Sequence, residues 1–316
     1  MKFIGYPKIG QLRNVIKPLK KITSDPVTFT GTVKVHGTNG GVTLDPLSRT
    51  MTLQSRKRIL TPQDDNMGFA AWATLKEEVF WRIYHKINVS GLTVKVYGEW
   101  AGKGVQSGVA VSNVEKFFYI FGVAVQDVDT MIWLKDYPSL TSVGDNILDA
   151  RDVIEHKIVI RPDAPALVAS ELVDLTMQIE EECPVGKFFG YSGTGEGMVW
   201  EHITEGGNRL AFKVKGEKHC TSKVKVLASV DPEMVKSVQE FVTYAVTENR
   251  MLQGFQEACD CDADLKNTGK FLQWISKDIQ EEETDTLEES GLIYKDVAKN
   301  VMNVARSWFF GRCEEC

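Results

Sequence analysis

The chain has 316 residues, of which 43% are hydrophobic and 25% charged, with 37 Lys plus Arg against 43 Asp plus Glu. These values are ordinary for folded domains and exclude disordered, collagen-like and fibrous proteins. The longest apolar run, Phe117–Val125, is far shorter than the ~20 residues of a membrane helix. Glycine and proline also interrupt the first ten residues before a secretory apolar segment can form. We therefore expect a soluble, cytoplasmic protein that binds no membrane.

Most of the first 214 residues have the composition of β-strands separated by turns. Segments rich in β-branched and aromatic residues, bounded by Gly, Asp or Pro, predict strands at 29–35, 41–44, 50–55, 93–97, 117–125, 197–202 and 210–214. Apolar side chains at spacings of three and four predict a helix over 65–87. A second helix is predicted over 170–182, ended by Pro184 and Gly186. This pattern is typical of a largely antiparallel sheet system.

After Lys225 the pattern becomes helical. Asp231-Pro232-Glu233 combines an N-cap residue, a proline in the first turn and an acid, and apolar residues then recur at helical period. Further helices are predicted at about 268–281 and 292–309, and the acidic segment 281–289 is predicted as a loop or a helix end. The sequence therefore predicts an α+β fold, with a β-rich domain over residues 1–228 and an all-helical domain over residues 229–316.

The net charge of −6 is unevenly distributed. Residues 1–226 carry 28 basic and 25 acidic side chains, whereas residues 227–316 carry 9 and 18. The window 209–225 holds six cations against the single acid Glu217, which is the local pattern expected where phosphates are bound, although a solvated strand face has the same pattern.

The six cysteines are too sparse for a disulfide scaffold, and we expect free thiols. Cys313 and Cys316 have the spacing of a zinc-binding pair. Their only possible partner pair, Cys259 and Cys261, is separated by a single residue, which does not fit a usual zinc site.

Polar motifs occur in a definite order around the predicted strands. Lys34 ends a β-rich run, Glu99 precedes a glycine-rich turn, Glu196 precedes a strand, and Lys213 and Lys215 are two apart and so lie on one strand face. Taken alone, the first motif is typical of a hairpin turn with an exposed lysine. Together they provide a lysine that can attack an α-phosphate, carboxylates that can hold Mg²⁺ or bond a ribose, and cations that can neutralise phosphate charge.

At these residues the sequence resembles the covalent lysine nucleotidyltransferases, which include ATP-dependent ligases and capping enzymes. Within them it is most similar to the RNA ligase 2 group of phages and kinetoplastid RNA-editing ligases, over nearly the whole chain. Lys34 to Asn39 (KVHGTN) matches the nucleophile motif, with His36 where most of the superfamily has Asp. The other motifs match at Arg56, at YGEWAGKGVQ with Glu99, at FYIFGV with Phe121 as the adenine-stacking residue, at Glu196–Val199 and at Lys213–Lys215. Gly122 stands where the group has Asp.

The resemblance implies an ATP-dependent RNA ligase that uses ATP and Mg²⁺ or Mn²⁺. It implies a monomer that joins RNA 5′-phosphate and 3′-hydroxyl ends at nicks in duplex RNA through a lysyl-AMP intermediate. The fold implied is a nucleotidyltransferase domain of two antiparallel sheets followed by a helical domain. The implied catalytic residues are Lys34, Lys213 and Lys215. Those implied to bind the nucleotide are Val35, His36, Gly37, Asn39, Arg56, Glu99, Phe121 and Glu196. Glu99 and Glu196 are also expected to hold the metal, directly or through water.

The sequence is also compatible with other functions and with other roles for individual residues. The chain resembles a DNA ligase or a GTP-using capping enzyme in the same motifs, and a non-catalytic RNA-binding module of the same fold would retain some of them. Lys57 or Arg58 can replace Arg56 in its role, Phe121 fits a core strand as well as an adenine site, and His36 can bond the nucleotide or cap the turn.

Overall fold

A computed structural model of the chain describes residues 3–89, 91–127, 130–219 and 237–315. The chain divides into two compact units, Met1–Gly216 and Glu217–Cys316. The predicted domain boundary at residues 228 and 229, the predicted helix start at Asp231 and the thiol of Cys316 lie outside the described residues.

The first unit contains two β-sheets and several helices. Its strands are β1 (Val27–Lys34), β2 (Thr38–Asp45), β3 (Thr50–Gln54), β4 (Ile59–Leu60), β5 (Thr93–Ala101), β6 (Phe117–Asp127), β7 (Thr130–Trp133), β8 (Ile147–Asp149), β9 (His156–Ile160), β10 (Gly197–Ile203) and β11 (Arg209–Lys215). Its helices are α1 (Leu12–Ile22), α2 (Phe69–Leu75), α3 (Glu77–Ile87), α4 (Ala169–Glu181) and α5 (Pro184–Phe188).

Both sheets are built mainly from antiparallel pairs. The four-stranded sheet has the order β11-β10-β1-β9. The seven-stranded sheet has the order β4-β3-β2-β5-β6-β7, with β8 added in parallel to β6. The predicted α+β class with antiparallel sheets is confirmed. The sequence did not predict β4, β7, β8 and β9, which have only two to five residues each.

Alternation along β1 separates the two faces of the four-stranded sheet. Phe29 and Val33 are buried on one face, whereas Lys34 lies on the other. On the buried face the ring of Phe29 packs 5.6 Å from that of Phe212 in β11. Burying a side chain of this size contributes about 1.5–3 kcal/mol. Glycine is required at position 31, between Phe29 and Val33 on β1, because a Cβ there would lie 2.5 Å from the indole of Trp200.

The predicted single helix over 65–87 is wrong, since the chain forms two helices that meet at Lys76. The first begins only at Phe69, because Met67 and Gly68 have positive φ angles of 54° and 83°. The carboxylate of Asp65 caps this start by accepting hydrogen bonds from the backbone of Ala70 and the following residue. Both helices pack their apolar side chains against one face of the seven-stranded sheet.

The predicted helix over 170–182 is confirmed as α4. Pro184 does not simply end it, as predicted, but begins α5, a position where its missing N–H costs nothing. Helix α1 was not predicted, because Pro18 in a lysine-rich segment argues against a helix. Its buried residues, Leu12, Val15, Ile16 and Leu19, recur at helical spacing, and the helix packs beside β11.

The second unit is helical throughout its described residues, as predicted. Its helices are α6 (Val238–Ala245), α7 (Glu248–Cys259), α8 (Thr268–Glu282), α9 (Thr284–Glu289) and α10 (Tyr294–Glu315). The two predicted helices at 268–281 and 292–309 are therefore confirmed, and the acidic segment forms α9. Within the described part of the chain, none of the helices combines the length and the apolar character that crossing a bilayer requires.

A buried ion-pair network lies inside this helical unit. The guanidinium of Arg250, which is fully buried, donates to Asp278 at 2.7 Å, to Glu283 at 2.8 Å and to the carbonyl of Ala245. The hydroxyl of Tyr244 donates to Glu283 at 2.9 Å. Since a buried charge is tolerated only when it is paired and hydrogen-bonded, this network fixes how α6, α7 and α8 pack together.

Candidate active site

The register of the four-stranded sheet places the three predicted lysines on one face. Lys34 at the end of β1 lies opposite Gly197 in β10, and Gly197 lies opposite Lys215 at the end of β11. Lys213 lies one row further back, opposite Val199. Residues directly opposed in antiparallel strands point to the same face, and strands are about 4.8 Å apart. The side chains of Lys34 and Lys215 can therefore converge on a group between them.

That group is the carboxylate of Glu196, which immediately precedes β10. The Nζ of Lys34 donates to its Oε2 at 2.5 Å, and the Nζ of Lys215 lies 3.3 Å from its Oε1. The Nδ1 of His36 is 3.6 Å from Oε2. The side chain of Glu196 is 3% exposed, whereas those of its three partners are 19–22% exposed. Three predicted residues thus surround one buried carboxylate.

The protonation of Glu196 follows from these neighbours. Burial alone raises the pKa of its carboxyl, but the charges of Lys34 and Lys215 and the hydrogen bond with His36 outweigh burial. The pKa of Glu196 therefore lies well below its ordinary value, and the carboxylate is ionised at neutral pH.

Glu99 has the opposite protonation behaviour. It lies in β5, directly opposite Asn39 in β2 and Tyr119 in β6. Burial raises the pKa of Glu99 to about 7, with Lys34 lowering it and the charge of Glu196 raising it. Glu99 therefore belongs to the same electrostatic cluster, and its carboxyl changes charge near neutral pH. Paired carboxylates with separated pKa values are typical of active sites.

The turn between β1 and β2 fits closely against Glu99. The backbone N–H of Gly37 hydrogen-bonds the Glu99 carboxylate and lowers its pKa. A Cβ at Gly37 would lie 2.9 Å from the Cγ of Glu99 and closer still to the carbonyl of Trp100, so only glycine fits. The side chain of Val35 is buried, 5% exposed, which leaves its backbone for any contact with a nucleotide.

Asn39 offers an open hydrogen-bond acceptor beside Glu99. Its Oδ1 is buried and has no hydrogen-bond partner among the described residues. A buried carbonyl oxygen without a donor is costly, so such a group is typical of a position that a ligand completes.

The geometry favours Arg56 over Arg58 as the arginine of the site. The guanidinium of Arg58 donates to the carbonyls of Asp64 and Asp65 at 3.1 and 3.0 Å, so it is engaged by its own loop. Arg56 is exposed, and its charge lowers the pKa of Glu99.

Phe121 occupies a β-bulge between β5 and β6. The pairing shifts from Tyr97 with Gly122 to Gly98 with Ile120, which leaves Phe121 without a partner across the ladder. A bulge bends its strand and re-aims the side chain. Phe121 is partly buried and packs on a cluster between the sheets formed by Tyr6, Tyr97, Ala124 and Trp133. It is therefore accessible for stacking and also contributes to a core.

Gly122 occupies the position where the RNA ligase 2 group has Asp, so this position carries no polar side chain. A Cβ at Gly122 would lie 2.9 Å from the indole of Trp133. The indole of Trp133 occupies the space that a side chain at position 122 would need, which explains why residue 122 is glycine.

The sequence predicted no individual role for Tyr6, a member of this aromatic cluster, or for Arg209 beside it. Arg209 in β11 donates to Glu201 at 2.8 Å, and its guanidinium lies 4.9 Å from the ring of Trp133 and 5.2 Å from that of Tyr6. Arg209 was noted only as one of the six cations of the window 209–225, and Tyr6 belongs to no periodic pattern or matched motif. The local signal at Tyr6 is the pair Tyr6-Pro7, whose proline restricts the preceding residue to extended backbone.

Comparison with known proteins agrees with the motifs. A family model described as RNA ligase matches residues 27–309, and the chain belongs to the RNA ligase family. Among curated proteins, no match to this chain was found.

Among solved structures, the chain is similar to RNA ligase from Naegleria gruberi. The structure with PPi has 15% identity and a TM-score of 0.46, and covers 68% of this chain and 57% of that one. A variant with ATP and Mn and another with AMP and Mn each have 15% identity, a TM-score of 0.45 and the same coverage, 68% and 57%. The chain thus spans less than two thirds of the length of these proteins.

Proposed function

We propose that this chain is an ATP-dependent RNA ligase that carries AMP on Lys34 and seals 5′-phosphate and 3′-hydroxyl ends at nicks in duplex RNA. The observation that carries the proposal is the convergence of Lys34 and Lys215 on the buried carboxylate of Glu196. A nucleophile, a second cation and a carboxylate then lie within contact of each other at one end of a sheet. Membership of the RNA ligase family supports the same chemistry. The proposal includes a monomer and a cytoplasmic location.

In the first step Lys34 attacks the α-phosphorus of ATP. Its Nζ leaves Glu196, releases protons to solvent and forms an N–P bond, while the bond from the α-phosphorus to the bridging oxygen breaks and pyrophosphate departs. Lys215 and Lys213 lie on the same sheet face and oppose the negative charge on the phosphate oxygens. Arg56 provides a further cation near Glu99.

The next two steps use the same residues. An oxygen of the RNA 5′-phosphate attacks the phosphorus of lysyl-AMP, the N–P bond breaks, and Lys34 takes up a proton from solvent and leaves as an amine. The RNA 3′-hydroxyl then loses its proton to solvent and attacks the 5′-phosphorus, and AMP leaves. All three steps are in-line displacements, so positioning and charge neutralisation account for most of the catalysis.

The donor set of the site fits a magnesium ion. Glu99 and Glu196 would hold it through carboxylate oxygens and Asn39 through its unpartnered amide oxygen, since Mg²⁺ prefers oxygen ligands. When bound, Mg²⁺ supplies positive charge that neutralises phosphate oxygens.

The helical unit has one face suited to RNA despite its acidity. Lys295, Lys299 and Arg306 are exposed on α10, and their spacing of 4 and 7 residues places them on one side of the helix. The buried side carries Val297 and Val301. None of the three cations forms an ion pair within the described residues. We therefore propose that this α10 basic face contacts RNA phosphates.

The test uses labelled nucleotides and matched nicks. The protein is incubated with Mg²⁺ and ATP or GTP labelled at the α-phosphate, then given nicked RNA duplex or nicked DNA duplex. We expect label from ATP and sealing of the RNA nick. Label from GTP alone identifies a capping enzyme, sealing of DNA alone identifies a DNA ligase, and no labelling by either nucleotide identifies a non-catalytic module.

A further inference from the structure

The first described residues, 3–10, connect the two sheets of the first unit, and we call them the strap. At one end the carbonyl of Ile4 accepts hydrogen bonds from Gln54 in β3 at 3.0 Å and from the hydroxyl of Tyr97 in β5 at 3.3 Å. At the other end Gly10 forms a bridge with Phe212 in β11. The strap therefore ties the seven-stranded sheet to the four-stranded sheet.

The middle of the strap is held by a buried aromatic side chain. Tyr6 is 7% exposed, and its ring centroid lies 5.0 Å from that of Phe121 and 5.2 Å from that of Tyr97. Trp133 contacts the same ring edge-on at 5.9 Å. Tilted and edge-on pairs of this kind are favourable geometries for aromatic rings. Burial raises the pKa of Tyr6 to about 12, so the phenol stays neutral at physiological pH.

The strap touches three residues of the proposed nucleotide site. A Cβ at Gly5 would lie 2.5 Å from the carbonyl oxygen of Arg56, so the strap passes directly against that residue. Tyr6 packs on Phe121. The carbonyl of Gly10 accepts a hydrogen bond from the backbone N–H of Lys213 at 3.0 Å.

The orientation of the Phe121 ring depends on packing against Tyr6 more than that of a residue in a regular strand would. Because it sits in the bulge, no residue opposite it in β5 fixes its position. Its orientation is therefore set by the side chains packed around it. Removing the Tyr6 ring would leave a gap beside Phe121 into which that ring can turn.

We infer that the strap is a positioning element of the nucleotide site, in which Tyr6 holds the Phe121 ring in the orientation that stacks on the nucleobase. This inference rests on the proposed function, because it takes a nucleotide as the ligand of the site.

The test measures ATP binding without catalysis. Isothermal titration of ATP and Mg²⁺ is carried out on the full chain carrying Lys34→Ala, alone and combined with Tyr6→Ala, Tyr6→Phe or Lys8→Ala. We expect Tyr6→Ala to weaken ATP binding about tenfold, from the usual worth of an aromatic pair. Tyr6→Phe keeps the ring, and Lys8 is exposed on the same strap, so both should stay within about twofold of the parent.

Tripolyphosphate, which lacks a nucleobase, separates positioning from general disruption. The affinity for tripolyphosphate should be the same for the Lys34→Ala protein and for the variant that also carries Tyr6→Ala. Unchanged ATP binding by Tyr6→Ala, or an equal loss of ATP and tripolyphosphate binding, overturns the inference. Tighter ATP binding also overturns it, because Tyr6 would then occupy the nucleobase pocket. Failure of the proposed function appears in a separate measurement, as the absence of an AMP adduct on the unmodified chain.

Discussion

The Nζ of Lys34 lies 2.5 Å from Oε2 of Glu196, so the proposed nucleophile and a proposed metal ligand form one ion pair. An ammonium group has no lone pair for attack on phosphorus. In the proposed mechanism the pair therefore separates before AMP transfer. Lys215, 3.3 Å from the other carboxylate oxygen, keeps Glu196 paired when Lys34 leaves, which lowers the cost of separation.

Replacing Glu196 by glutamine removes the charge that these cations share. We expect Glu196→Gln to slow formation of the AMP adduct by about 100-fold, the usual cost of losing one electrostatic contact in an active site. The rate is measured with α-labelled ATP and rapid quenching. Glu182→Gln is the matched control, because Glu182 is a carboxylate with a 43% exposed side chain that pairs with Lys187. Equal rates for the two variants would contradict the role given to Glu196.

The raised pKa of Glu99 makes stability depend on pH. A carboxyl whose pKa rises from 4.5 to about 7 on folding binds its proton more tightly in the folded state. Its contribution to stability is fully present below pH 4.5 and is lost as the pH rises through about 7. Without metal, the free energy of unfolding relative to Glu99→Gln should therefore fall between pH 5 and pH 8.

Urea unfolding of the two proteins at several pH values measures this difference. Bound Mg²⁺ requires the ionised carboxylate, so the apparent affinity for Mg²⁺ should weaken about tenfold per pH unit below 7 and level off above it. The Glu99→Gln variant should lack this pH dependence. A parallel pH dependence in both proteins would show that Glu99 does not titrate as described.

Lys213 and Lys215 should act on rate rather than on folding. We expect Lys213→Ala and Lys215→Ala each to slow AMP transfer by about 100-fold, or about 3 kcal/mol, because same-face cations oppose charge that grows in the transition state. The melting temperature should change little. Lys157, exposed on β9 of the same sheet, provides the control Lys157→Ala. Unchanged rates together with unchanged melting temperatures would show that neither lysine contributes to AMP transfer.

The α10 basic face should matter only once RNA is present. Reversing the charges of Lys295, Lys299 and Arg306 to glutamate should leave adduct formation intact and weaken binding of a pre-adenylated nicked duplex. The slope of log affinity against log salt should become shallower by about 2–3, since each phosphate contact contributes about 0.7–0.9. Lys266→Glu, at an exposed lysine paired with Asp264, is the control.

A shorter chain tests the same surface. A fragment ending near Lys225 contains every motif of the site and should form the adduct, but it should lose most nick sealing. Equal sealing rates and equal salt slopes for the fragment and the full chain would show that the helical unit does not contact RNA.

The sequence predicted the members of the site but not their convergence. The spacing of Lys213 and Lys215 alone places them on one strand face. That Lys34 and Lys215 meet at Glu196 depends on the pairing of β10 with both β1 and β11, and β1 is far from β10 along the chain. Such pairing leaves no local signal, so the order of motifs could only suggest it.

Local irregularities were the features that the sequence did not indicate. Phe117–Val125 is apolar almost throughout, so a one-residue shift at Phe121 changes no visible alternation. The strap has neither helical nor strand periodicity, and the contact of Tyr6 with Phe121 links residues far apart in sequence. The break at Lys76 likewise interrupts an apolar pattern that continues on both sides.

The central claim is that Lys34 carries AMP, and intact mass after incubation with ATP and Mg²⁺ tests it most directly. The unmodified chain should gain the mass of one AMP, and so should Lys157→Ala, whose lysine is exposed on the same sheet. Lys34→Ala should gain none, because Lys34 is the lysine that pairs with Glu196 and whose charge also acts on Glu99. A normal AMP adduct on Lys34→Ala would contradict the account.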